Sequence, residues 1–209
     1  MFIYKIPNIV KRALPKLIWE IPLSIHQNKF IYFTFDDGPT PEITNFVLEE
    51  LNKFQATASF FCIGKNIKQN PELINQILES NCTIGNHTMN HLNAWKTSSD
   101  IYRANRALCD QEINNFNCKS VGFRPPYGRI TSNIYNSFSE EPIYMWSVLT
   151  GDYRKESKSE EIISNCLPLL KPGSIVVFHD SVKSFHHLKI ILPVFLAYCK
   201  ENNLKPCAL

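Results

Sequence analysis

Phe30-Ile31-Tyr32-Phe33-Thr34-Phe35-Asp36-Asp37-Gly38-Pro39 decides how this chain is read. Six apolar or β-prone residues run into two adjacent carboxylates, and a Gly-Pro breaker follows at once. A continuous apolar run without polar alternation marks a parallel strand buried on both faces. Asp36 and Asp37 then fall at its carboxyl end, where α/β folds carry their ligand crevice. A second reading stays open at this point, because Asp before Gly is ordinary turn chemistry: Asp36 caps the turn and Asp37 is solvated.

Working outward, the alternation of strand and helix patterns recurs about seven times. Thr40-Pro41-Glu42 and Asn70-Pro71-Glu72 both read as helix starts, each with a capping side chain, Pro at the first helical position and an acid in the first turn. Strands are expected at 57–63, 82–85, 121–124, 143–148 and 174–178, and helices at about 98–115, 160–170 and 185–200. That alternation predicts an α/β fold and suits a parallel barrel, in which strand ends converge on one mouth, better than an open sheet. No Gly-rich phosphate loop is present among the seven glycines.

With 209 residues and 44% hydrophobic content, the chain suits one substantial core. Its formal charge of +3 comes from 22 basic and 19 acidic residues scattered along the sequence, so no nucleic-acid partner is expected. Seven cysteines without a Cys-x-x-Cys read as buried small hydrophobes in a reducing compartment. Residues 1–29 carry Lys5, Lys11, Arg12 and Lys16 and are broken by Pro7, Pro15 and Pro22, so no apolar core of a signal peptide or membrane span emerges. The expectation is an arm packed on a catalytic domain of residues 30–209, in a cytoplasmic monomer without a transmembrane segment.

Unusual polar residues follow strand after strand: Asp36 and Asp37, His87 and His91, Arg124, Asp152, His179. His87 and His91 are spaced i, i+4, which on a helical turn places both imidazoles on one face. With Asp37 as a third donor they would make a three-ligand metal site of the catalytic type. His186 and His187, at the start of the last helix, read instead as surface or capping residues, and His26 as lying at the far end of the barrel.

The segments Thr34-Phe35-Asp36-Asp37-Gly38-Pro39, His87-Thr88-Met89-Asn90-His91, Arg124-Pro125-Pro126-Tyr127, Trp146 to Tyr153 and Val177-Phe178-His179-Asp180 stand in the order of five motifs. In this the chain resembles the polysaccharide deacetylases, the NodB-like domains of carbohydrate esterase family 4, over roughly residues 30–207. The resemblance implies a distorted (β/α)7-type barrel, in agreement with the count of strand and helix patterns. The resemblance implies that Asp37, His87 and His91 bind one divalent metal ion, zinc or cobalt. It makes Asp36 the general base with Arg124 as its charged partner, Tyr127 a backbone donor to the oxyanion, and His179 the general acid partnered by Asp152. Tyr127, Pro126, Tyr153 and Val177 would line the substrate pocket. Independently of the resemblance, Trp95 reads equally as a sugar-groove residue, since aromatic faces pack on pyranose rings, or as core. Leu149 replaces an acid of many members, Tyr153 a Trp, and Val177 a Leu.

The resemblance implies metal-dependent hydrolysis of N-acetyl groups from N-acetylglucosamine-containing glycans, such as peptidoglycan or chitin-like oligosaccharides. The alternatives are an O-deacetylase of an acetylated polysaccharide and a catalytically silent glycan-binding protein on the same scaffold.

Overall fold

The computed structural model describes residues 2–22, 29–137 and 141–209; His26 lies outside them. Five parallel strands follow the order β4-β3-β2-β7-β6, with β2 (Phe30–Asp36) between β3 (Ser59–Cys62) and β7 (Ile175–His179), and with β4 (Thr83–Asn86) and β6 (Val148–Leu149) outside them. The last strand, β8 (Lys205–Cys207), pairs with the first three residues of β2. Beyond β4 the wall continues through single bridges, Asn86 to Phe123 and Phe123 to Ile143. It then reaches β5 (Ile143–Tyr144), which pairs with β1 (Leu17–Ile18). This is the expected distorted α/β barrel.

The opening stretch is a central strand because both its faces have an apolar environment to enter. Every residue of β2 after Phe30 is buried. With a side-chain period of two, Phe33 and Phe35 face the helices, where they meet Phe178 at 5.2 and 5.4 Å between ring centroids; Phe35 also stacks on Phe60 at 5.1 Å. Each such ring pair contributes about 0.5–1.5 kcal/mol beyond simple area burial. Thr34 and Asp36 face the barrel interior, where Arg124 joins them.

The helices are α1 (Asn8–Ala13), α2 (Ile43–Lys53), α3 (Gly64–Gln69), α4 (Pro71–Glu79), α5 (Ser99–Asn114), α6 (Ser132–Ser137), α7 (Ser159–Cys166) and α8 (Phe185–Glu201). None among the described residues is long and apolar enough to cross a membrane. Five of the seven cysteines are buried; burial pushes the Cys62 thiol well above its ordinary value and the Cys109 thiol up to about 12.

Several local expectations fail for identifiable reasons. Thr40-Pro41-Glu42 does not begin α2, because Glu42 has φ 66° and the helix starts at Ile43. The hydroxyl that matters is that of Thr44, which accepts from the Thr40 N–H and donates to Asp180. Asn70 does not cap α4 either, since its amide donates to the Asn66 carbonyl. The expected strand at 121–124 reduces to the bridges at Phe123. The run 143–148 splits in two, because the Met145 N–H goes to Ile18 and the Ser147 N–H to Ile175.

Residues of the N-terminal segment take part in the wall. Lys5 bridges Val148 antiparallel, and the Leu149 N–H donates to the Tyr4 carbonyl at 2.9 Å.

Candidate active site

Two cavities compete for attention. The larger, about 740 Å³, lies against α2 and α4; its lining mixes amides such as Asn45, Asn52, Gln55 and Gln76 with apolar residues, and its titratable groups are Glu49 and Glu79. The smaller, about 460 Å³, opens where the strands end and is lined by Asp36, Asp37, His87, His91 and His179. Concentrated titratable groups, rather than size, single out the second.

Its base is a buried ion pair. Arg124 has no exposed surface, and its guanidinium donates through Nη1 to Asp36 Oδ1 and to Thr34 Oγ1, each at 2.7 Å. Nη2 donates to the Met145 carbonyl at 2.9 Å and Nε to the Tyr144 carbonyl at 3.1 Å. The guanidinium carbon lies 4.0 Å from the centroid of the Phe61 ring. Burial of a charge without partners is prohibitive, so this set of acceptors is what permits a cation inside the barrel.

Beside it, Asp37, His87 and His91 bring one ligand atom each to within 4.8 Å of one another. Asp37 Oδ1 is buried without a hydrogen bond and faces the two Nε2 atoms, at 3.2 Å from His91 and 3.6 Å from His87. His87 Nδ1 lies 2.7 Å from the Arg124 carbonyl. A carbonyl only accepts, so Nδ1 carries the proton and Nε2 is left with its lone pair toward Asp37. Burial pushes the His87 pKa down to about 4, keeping the imidazole neutral. Burial would raise Asp37, but the His91 imidazole at 3.2 Å and the charge of His179 outweigh it and hold the carboxyl well below the usual range. A neutral imidazole with a fixed tautomer, a second imidazole and an ionised carboxylate form a donor set that fits a divalent cation.

The two histidines do not share a helical turn, as their spacing predicts. Thr88 (φ 66°) and His91 (φ 53°) are left-handed, as is Asp37 (φ 79°). Asparagine side chains divert the backbone from a helix. Asn86 Oδ1 accepts from the Thr88 N–H at 2.8 Å, and Asn105 Oδ1 from the Asn90 N–H at 3.0 Å. Strain of this kind concentrates where a site is held by its surroundings.

His179 stands in register with Asp36 on the neighbouring strand. Asp152 grips it twice, accepting from the backbone N–H at 2.8 Å and lying 2.7 Å from Nδ1. Burial would lower the His179 pKa, but the charge and hydrogen bond of Asp152, with smaller contributions from Asp37 and Asp36, push it up to about 9. Tyr127 occupies a tight turn (φ 61°, ψ 8°) and is 59% exposed, and its N–H makes no hydrogen bond among the described residues. Tyr153 and Val177 line the pocket, as does Leu149. Pro126 is buried and is not among the residues that line it.

Residues 24–146 match the family model described as polysaccharide deacetylase. This chain belongs to the polysaccharide deacetylase family. It is similar to a peptidoglycan-N-acetylglucosamine deacetylase of Bacillus cereus, at 35% identity over 167 residues, 78% of this chain and 76% of that protein. It is also similar to the chitooligosaccharide deacetylase of Azorhizobium caulinodans, at 32% identity over 155 residues, 72% of this chain and 73% of that protein. Among solved structures, that of the Bc1960 peptidoglycan N-acetylglucosamine deacetylase superimposes with TM-score 0.84 and 28% identity, covering 95% of this chain and 94% of that one. A family pseudoenzyme from Bacillus anthracis superimposes with TM-score 0.76 and 25% identity, covering 88% and 64%.

Two residues of the site's surroundings escaped the sequence reading. Asp180 is buried with its carboxyl so close to Gly38 that a Cβ there would meet Oδ2 at 2.0 Å; burial pushes its pKa up to about 8. Gly38 therefore has no room for a side chain beside the two acids. His187 is buried rather than at the surface, with Nδ1 2.9 Å from Ser159 Oγ and Nε2 3.2 Å from the Arg154 carbonyl, tying α8 to the segment that follows Asp152. Neither residue has a local pattern that announces these contacts.

Removing one partner of the buried pair leaves the other charge stranded. Arg124→Leu is expected to destabilise the fold by about 3–5 kcal/mol, and adding Asp36→Asn to recover part of that loss. Urea unfolding of the three proteins checks this; a loss under about 1 kcal/mol for Arg124→Leu would contradict the account of the pair.

Proposed function

We propose that this chain is a metal-dependent hydrolase that removes N-acetyl groups from N-acetylglucosamine-containing glycans, releasing acetate and leaving a free amine. The observation that carries this reading is the register of Asp36 with His179 on adjacent strands, one held by Arg124 and the other by Asp152, beside the cluster of Asp37, His87 and His91. The named activities of the relatives support the glycan and the N-acetyl bond.

Asp37, His87 and His91 would hold the ion, for which imidazole and carboxylate donors suit zinc. When bound, a divalent cation supplies Lewis acidity, polarising the acetyl carbonyl and making water more acidic. Asp36 Oδ1 is occupied by Arg124, leaving Oδ2 to take the proton of the attacking water. Arg124 fixes the plane of that carboxylate. The unused N–H of Tyr127 would donate to the oxygen that gains charge as the carbonyl becomes tetrahedral. His179, with Nδ1 committed to Asp152, would deliver a proton from Nε2 to the departing amine. An amine leaves poorly without that proton, so a histidine held protonated suits N-deacetylation.

A silent binder on this scaffold is the less favoured reading. A binder has no use for an acid and a base on adjacent strands beside a donor set for an ion.

Acetate release from chitooligosaccharides and peptidoglycan fragments, measured together with bound metal, tests the roles of the adjacent acids. Asp37→Ala is expected to lose both metal and turnover. Asp36→Asn is expected to keep metal and lose about 10²-fold or more in rate. The opposite pattern would reverse the assignment, and full activity in both variants would reject it.

The pH profile tests His179. A general acid must be protonated, so activity is expected to fall on the alkaline side as His179 titrates. Asp152→Asn removes the charge that raises its pKa, moving that limb to lower pH by roughly one unit or more. For stability the sign is the same: the His179–Asp152 contribution is fully present below the ordinary histidine value of 6.5 and is lost as pH rises through about 9. An alkaline limb unmoved in Asp152→Asn would exclude His179 as the acid.

A further inference from the structure

Beyond the cluster at its floor, the pocket has a rim whose chemistry the reaction does not use. Trp95 is 64% exposed, yet its ring is fixed: Nε1 donates to the Ile130 carbonyl at 3.1 Å. The Arg129 guanidinium lies 4.7 Å from the Trp95 ring centroid and 5.7 Å from that of Tyr127. Tyr127 in turn stands 4.5 Å, ring to ring, from His91. One row of flat groups thus leads from the candidate ligands out to an exposed indole. The turn that displays it is tight, since a Cβ on Gly128 (φ +63°) would meet the Trp146 ring at 2.4 Å.

The charge of this rim is unbalanced. Arg103, Arg106 and Arg124 each pair with a carboxylate. Arg129 pairs with none among the described residues, and neither does Lys183, which lines the same pocket 5.3 Å from the Tyr153 ring centroid. A guanidinium stacked on aromatic faces keeps its in-plane N–H donors free, and that planar fork matches a carboxylate. An exposed, fixed indole offers an apolar face of the kind that a pyranose ring can cover.

We propose that Trp95 and Arg129 form a second sugar subsite, taking a carboxylate-bearing sugar next to the one that is deacetylated. Trp95 packs on the ring, and Arg129 receives the carboxylate, with Lys183 adding to the positive mouth. The inference rests on the function proposed above and narrows its substrate to acidic glycans over neutral chitin-like ones.

Three probes test it on the metal-loaded protein: soluble peptidoglycan glycan strands, whose alternate sugars carry a carboxylate; the same strands with those carboxylates capped as methyl amides; and chitotetraose. KM comes from acetate release and Kd from tryptophan fluorescence. The free carboxylate is expected to lower KM by about two- to five-fold relative to the capped strand, the range of an exposed charge pair, and added salt should shrink that preference. Arg129→Gln should bring the ratio to about one, and Trp95→Ala should weaken binding of all three probes. Lys68→Gln, a cation on α3 paired with Glu112, should keep the preference. Equal KM for capped and free strands, with acetate released from both, overturns the subsite and leaves the deacetylase reading standing. So does a preference that survives Arg129→Gln or falls equally in Lys68→Gln. Fluorescence that favours the free carboxylate without acetate from any probe overturns the deacetylase reading and leaves the subsite.

Discussion

A guanidinium with no exposed surface can exist inside a protein only if its donors are matched by acceptors, and Arg124 organises the barrel around that requirement. Its acceptors come from β2, from β5 and from the residue after β5, while Phe61 of β3 packs against its plane. Its own backbone carbonyl fixes the tautomer of His87. One residue therefore joins the interior of the wall to both halves of the site, the carboxylate kept for proton transfer and the imidazole turned toward Asp37.

The same requirement explains how two neighbouring acids come to differ. Asp36 ends the strand with its side chain inward, next to Arg124; Asp37 follows in a left-handed conformation that turns it among imidazoles. Gly38 then allows the buried Asp180 carboxyl to press against the turn. Across the site, Asp152 holds His179 in place as Arg124 holds Asp36, and its charge and hydrogen bond raise the His179 pKa.

Much of this was legible in the sequence. The run 30–35 is apolar on alternate residues in both phases, which only a strand covered on both faces tolerates, and the polar residues placed after strands do converge at one mouth. What escaped the reading depends on contacts distant in sequence. The histidine spacing suggested a helical turn, but Asn86 and Asn105 hold an irregular one. Thr40 looked like a cap until Asp180, 136 positions after Thr44, claimed the hydroxyl that orders the turn. His187 and Arg129 carried no local pattern, since the partners that give them meaning lie on other segments: Ser159 and Arg154 for the one, Trp95 for the other.

The central claim is that Arg124 reserves Asp36 and leaves Asp37, His87 and His91 to the ion. A crystal structure of the zinc-loaded protein tests it most directly. The account predicts one ion at about 2.0–2.2 Å from His87 Nε2, His91 Nε2 and an Asp37 oxygen, with Asp36 Oδ1 still accepting from Arg124. An ion coordinated by Asp36, or an Asp36 released from Arg124, would contradict it.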